Sequence, residues 1–157
     1  HIYGNVKVNN ASDVKQNWEQ IKQKEHRGTK SLLAGVPNSM PSLVKAYRMQ
    51  EKAAQVGFDW ENKQQVWAKV EEELAEFKEE LGTTRAPGEF GDLLFALVNY
   101  ARFEGINPDD ALELTNRKFK SRFKYIEDKA REQGRNLKEM TLEEMDKIWN
   151  EAKTNEI

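Results

Sequence analysis

Apolar residues recur at three- and four-residue intervals through most of the chain, the period of helices with one buried face. Val14, Trp18 and Ile21 set the first such run, from Asp13 to about Glu25. The stretch 28–37 reads as a loop. Ser39 is a candidate cap for a second helix, with Pro41 tolerated in its first turn. Leu43, Tyr47, Gln50 and Ala54 carry that helix toward Gly57. Asn62 is placed to cap a third helix ending near Leu81, where Gly82 reads as a stop. A fourth spans Glu89 to about Glu104. Asn107 and Pro108 restart the chain, Asp109 and Asp110 favour the new helix dipole, and that fifth helix reaches Glu132. Gly134 breaks it, and Thr141 with Glu144 has capping-box spacing for a last helix. No strand or internal repeat stands out. The expected fold is all-α, an antiparallel helical bundle with short connections. Residues 1–12 lack periodicity and read as a tail or linker, leaving 13–157 as a single domain.

Acidic residues interrupt two of these helices. In the third, Val66, Trp67, Val70, Leu74, Phe77 and Leu81 cover about 100° of the wheel. Glu73 lies just outside that arc, Glu76 is further round the same side, and Glu72 points more nearly away. A partly buried carboxylate is unfavourable unless paired or metal-bound. Taken alone, three adjacent glutamates also read as an ordinary solvated face. The fourth helix adds weight to the first reading. Its apolar residues, from Phe90 to Phe103, occupy almost every direction, as expected of a buried central helix. Glu89 and Asp92 interrupt it three residues apart, and Asn99 stands two turns beyond Asp92 on the same side. If the two helices pack antiparallel, the two acidic pairs can face each other. Four oxygen ligands on rigid helices suit a hard cation such as Mg²⁺ or Mn²⁺.

Composition narrows the chemistry further. The 157 residues carry 25 basic and 27 acidic side chains, a net charge of -2, which gives no reason to expect nonspecific nucleic-acid binding. With no cysteine, thiol catalysis, disulfides and cysteine-bound zinc are excluded, and a cytoplasmic setting fits. No apolar run approaches the roughly 20 residues that span a membrane. The start at His1, without an initiator methionine, reads as a piece of a longer protein. Lys118 and Arg122, one turn apart on the fifth helix, offer a phosphate its cations, or else balance surface acids. Asn116 stands near the same apolar border. Trp60 and Trp149 are candidate stacking surfaces for a base, and equally ordinary packing aromatics.

The sequence resembles the MazG family of all-alpha nucleoside triphosphate pyrophosphohydrolases. Glu72, Glu73 and Glu76 match the first half of its acidic signature, and Glu89 with Asp92 matches the second, with twelve residues intervening. The phrases Val56-Gly57-Phe58-Asp59-Trp60 and Gly91-Asp92-Leu93-Leu94-Phe95-Ala96-Leu97-Val98-Asn99 carry the likeness further, as do Asn116-Arg117-Lys118-Phe119 and Arg122-Phe123. The resemblance runs from about Asn17 to the Trp149 region and is strongest to the second of two such units, which implies an upstream domain. It makes 13–157 a MazG-like catalytic domain and implies a homodimer. The implied ligands of Mg²⁺, with Mn²⁺ as a substitute, are Glu73, Glu76, Glu89 and Asp92. The implied reaction is attack of activated water on the α-phosphorus of a nucleoside triphosphate, releasing pyrophosphate. Glu72 would orient the water, Lys118 and Arg122 would engage the triphosphate, and Trp60, Asn99, Asn116 and Trp149 would shape the substrate pocket. The competing expectations are a nucleotide-binding regulatory module with weak catalysis and a structural dimerisation bundle.

Overall fold

A computed structural model describes residues 14–20 and 31–156. The tail at 1–12, both histidines and the start of the first loop lie outside the described residues. Residues 14–20 are helical (α1). A short 3₁₀ turn, Leu32–Gly35, leads to α2 (Ser42–Gln55), α3 (Lys63–Glu79), α4 (Ala86–Phe103) and α5 (Pro108–Glu132). A second 3₁₀ turn, Leu137–Glu139, precedes α6 (Leu142–Asn155). No strand occurs among the described residues, and the fold is all-α. None of its described helices is long and apolar enough to cross a membrane. The chain divides into two compact units, one up to Pro108 and one from Asp109 onward.

Local chemistry sets the helix ends. Asn62 Oδ1 accepts from the Gln65 amide at 3.0 Å, meeting one of the donors that a helix start leaves unpaired. Helix α3 ends at Glu79, and Gly82 takes the left-handed conformation (φ 82°) that a side chain would resist. Two starts differ from expectation. Helix α2 begins after Pro41 without a side-chain cap, so Ser39 does not serve. Helix α4 begins at Ala86 with Pro87 in its first turn, which places Glu89 inside that turn rather than at its edge.

In the first unit α3 and α4 run antiparallel. Phe77 meets Phe90 at 5.3 Å between ring centroids, and Trp67 meets Tyr100 at 5.0 Å, so contacts proceed in opposite order along the two helices. Lys63 and Glu104 continue the order with an ion pair of 3.3 Å. Val70, Leu93 and Ala96 form the buried seam. Helix α2 packs on α4 as well, where Gln50 Nε2 donates to the Phe95 carbonyl at 3.0 Å. Helix α1 is tied to α2 by a buried ion pair, Glu19 with Lys52 at 3.3 Å.

The expectation that α4 is buried all round is not met. Leu93, Ala96 and Val98 are buried, but Phe90, Leu94, Phe95 and Leu97 are exposed. Its main neighbours, α2 and α3, cover part of its circumference and leave an apolar stripe open.

The second unit has its own core of Ile126, Ala130, Met140 and Ile148, with Trp149 packed against it. Thr141 Oγ1 caps α6 by accepting from the Glu144 amide at 3.1 Å. Arg135 bonds the Glu144 carboxylate, and that bond, aided by Thr141, holds Glu144 below the usual glutamate range. A depressed carboxylate stabilises the fold above its unfolded pKa and loses that contribution as pH falls through its folded value. Below pH ~4.3, wild-type protein should therefore lose stability faster than Glu144→Gln, with the two converging again once Glu144 is fully protonated. Urea midpoints taken from pH 7 to 2.5 check this, and parallel curves throughout would dismiss the linkage.

Candidate functional site

The α3–α4 seam determines where the acids go. Helical spacing places Val70 and the partly buried Phe77 of α3 in the seam with α4, so Glu73, between them, turns toward the same seam. It is buried, at 7% relative exposure. Glu76 follows one turn on, and Glu89 faces them from the first turn of α4. One oxygen from each of Glu73, Glu76 and Glu89 lies within 4.8 Å of the others. Glu73 Oε2 and Glu89 Oε2 are both buried without a hydrogen-bond partner.

Such a cluster is electrostatically unfavourable by itself. Repulsion from Glu73, then desolvation and the charges of Glu89 and Glu72, push Glu76 above the usual carboxylate range. The α4 dipole offers Glu89 only about 0.3–1 kcal/mol in return. Lys69 gives partial relief, with Nζ 3.1 Å from Glu73 and 3.4 Å from Glu72. Those bonds, Glu73's first, raise the Lys69 pKa. Orphaned, buried oxygens in an all-carboxylate set suit a hard divalent cation, which takes oxygen ligands.

The other anticipated residues are placed unevenly. Asp92 is outside the three-oxygen cluster but lines, with Glu73 and Lys69, a cavity of about 620 Å³. Glu72 is exposed and faces Lys69. Trp60 and Asn99 line the same cavity as Asp92. The Asn99 Oδ1 atom is occupied, accepting from Arg102 Nε at 3.1 Å and Nη2 at 2.8 Å. The Arg102 guanidinium also forks onto Asp59 at 3.1 and 2.6 Å. Gly57, with φ 89°, makes the turn that presents Phe58, Asp59 and Trp60 to this cavity.

Lys118, Arg122 and Trp149 belong to the second unit. Arg122 stacks over the Trp149 ring at 5.4 Å and forks onto Glu156, with Nε and Nη2 each 2.8 Å from a carboxylate oxygen. Arg122's hydrogen bond, and more weakly the charges of Lys118 and Lys153, hold Glu156 below the usual range. Asn116 is exposed on α5. Sequence reasoning missed Lys69, Gln50 and the Asp59–Arg102 fork. Lys69 left a signal, standing one helical turn before Glu73, where opposite charges pair. The others join residues more than 40 positions apart and left none.

Comparison with known proteins follows the same line. The chain is 44% identical over 137 residues to the nucleoside triphosphate pyrophosphohydrolase/pyrophosphatase MazG of Thermotoga maritima, covering 87% of this chain and 54% of that protein. It is 36% identical to the nucleoside triphosphate pyrophosphohydrolase of Escherichia coli K12 across 100% of this chain and 62% of that one. The uncharacterized protein YabN of Bacillus subtilis is 51% identical over 99% of this chain, which spans 33% of it. The chain thus spans between a third and under two thirds of these curated relatives. No family model matches it.

The cluster's fit to a cation has a direct check. At a Mn²⁺ concentration about 100 times its Kd, wild-type protein should gain roughly 2.7 kcal/mol of stability. Glu89→Gln should lose most of that gain in a thermal-shift titration. An equal gain in both proteins would place the cation elsewhere.

Proposed function

Because the chain is homologous to MazG nucleoside triphosphate pyrophosphohydrolases, we propose that it hydrolyses nucleoside triphosphates at the α–β phosphate linkage, giving a monophosphate and pyrophosphate. The observation that carries this reading is the convergence of Glu73, Glu76 and Glu89 with two buried oxygens left unpartnered. In it, Glu73, Glu76, Glu89 and Asp92 hold Mg²⁺, or Mn²⁺ in its place. When bound, the cation supplies charge neutralisation at the phosphates and lowers the pKa of water. Glu72 orients the attacking water. Lys69 holds one oxygen of Glu73 in place by its ion pair. Arg122 and Lys118 engage the triphosphate. Arg122 already binds an anion by a two-pronged contact, the Glu156 carboxylate, and a phosphate presents the same oxygen geometry. Trp149 of α6 backs that contact, and Asn116 shares α5 with Lys118 and Arg122 and shapes the pocket.

The reading extends to assembly. Phe90, Leu94 and Leu97 recur on one side of α4, and Trp67, Leu74 and Leu81 on one side of α3, all exposed. Two apolar stripes on adjacent helices are the kind of surface that serves as an interaction site. A second copy of the chain covers them in this proposal, within a longer cytoplasmic protein that carries a further domain.

Two outcomes test these statements. Product analysis on a panel of nucleoside triphosphates should show Mg²⁺-dependent monophosphate and pyrophosphate, abolished by chelator. Glu73→Gln and Asp92→Asn should each cut turnover on the order of 100-fold or more, the scale expected when transition-state electrostatics are lost, while circular dichroism stays helical. Diphosphate with orthophosphate, or full activity in both variants, would reject the assignment. For assembly, sedimentation should give a dimer for wild-type protein and a monomer for Leu94→Glu. A wild-type monomer would remove the proposed partner.

A further inference from the structure

The triphosphate reading asks Arg122 to take an anion, yet the arginine already holds one. Its Nε and Nη2 donate to Glu156 Oε1 and Oε2, each at 2.8 Å. Those two donors form one edge of the guanidinium, an edge on which two phosphate oxygens fit equally well. The Trp149 ring covers a face of the same group at 5.4 Å, and the arginine side chain is 14% exposed. Arg122's hydrogen bond and charge, followed by the charges of Lys118 and Lys153, keep Glu156 below the usual glutamate range. The carboxylate therefore sits among three cations, in the place a phosphate chain would need.

The occupant is placed to leave. Helix α6 ends at Asn155, and Glu156 follows it in extended backbone, with φ −73° and ψ 127°. Its side chain is 38% exposed and has no part in the core of Ile126, Ala130, Met140 and Ile148. Release returns it to water without opening that core. Resting on the hydrolase reading above, we propose that Glu156 is a resident competitor at Arg122, an autoinhibitory carboxylate that a phosphate chain must displace before it binds. The site is then competent only in molecules whose Glu156 has swung away. The observed dissociation constant exceeds the intrinsic one by the inverse of that fraction. A polyphosphate can drive the exchange, because it carries more charge than one carboxylate and finds Lys118 one turn from Arg122. A brace that merely keeps Arg122 aimed would have the opposite effect on affinity.

Pyrophosphate binding by calorimetry in chelator reads this contact without any cation at the acidic cluster. Glu156→Gln keeps the shape of the side chain and removes its charge. Pyrophosphate should bind the variant roughly 5- to 10-fold more tightly than wild-type protein, between the scale of an exposed ion pair and that of a charge-assisted bond. KM for a triphosphate should fall as well. Unchanged affinity would make the pair idle, and weaker affinity would make Glu156 a brace. Either overturns the proposal, as does absence of binding to both proteins. A second measurement needs no variant. In wild-type protein with isotope-labelled glutamate, the Glu156 carboxyl resonance should move toward that of an unpaired glutamate as pyrophosphate saturates the site. A resonance that stays in place while pyrophosphate binds would end the proposal even if the variant did not fold. The two readings fail separately. No turnover of any triphosphate, beside tighter pyrophosphate binding in Glu156→Gln, would reject the hydrolase and keep the competitor. Turnover with affinity and KM both unaltered in the variant would do the reverse.

Discussion

Repulsion among carboxylates at the α3–α4 seam is the constraint around which the first unit is arranged. The apolar contacts Phe77–Phe90 and Trp67–Tyr100 draw the helices together, and in doing so bring Glu73, Glu76 and Glu89 within 4.8 Å of one another. Burying a Val or Phe side chain is worth about 1.5–3 kcal/mol, enough to hold a few unfavourable charges in place. Nothing in packing requires those charges to be there, since leucine at Glu73 would extend the seam. Acids converging at one point, with Lys69 in partial compensation, form a group that could hold a divalent cation.

The pattern of apolar positions and caps made most of this architecture readable. Asn62, Gly82, Pro108 and Thr141 mark helix ends by chemistry that acts within four residues, and the sequence carries all of it locally. The pairing of Glu73 and Glu76 with Glu89 followed once α3 and α4 were taken as antiparallel neighbours, because a short connection leaves few alternatives. Burial was less legible. The apolar run from Phe90 to Phe103 implied a helix enclosed on all sides, yet Phe90, Leu94, Phe95 and Leu97 are exposed, because hydrophobicity alone does not say which neighbours a helix has. The Gln50 bond to Phe95 and the Arg102 fork onto Asp59 span 45 and 43 residues. No periodicity encodes such contacts, since they depend on how α2 and the Gly57 turn settle against α4.

The polar groups of the first unit separate into those already satisfied and those held open. Arg102, Asp59 and Asn99 complete one another and rigidify the cavity wall. Lys69 answers one oxygen of Glu73 and leaves the other orphaned. A site organised to bind a cation must do both. Rigid surroundings spare the ligand the cost of ordering them, and unsatisfied oxygens give it something to gain. The apolar lining contributes as well, because it lowers the local dielectric and so strengthens interactions between charges beside it.

The second unit shows the complementary arrangement for an anion. Arg122 is held by Trp149 on one side and Glu156 on another, so its fork is preformed before any ligand arrives. A carboxylate in that fork has a consequence for affinity. An incoming phosphate displaces an existing charge-assisted pair, so its net gain is the difference between two such contacts rather than the whole of one. Glu156, once released, is more than one-third exposed and can return to water at little cost. The exchange therefore favours the ligand bearing the greater charge. On the proposed role of Arg122, a triphosphate or pyrophosphate therefore competes with the carboxylate better than a monophosphate does.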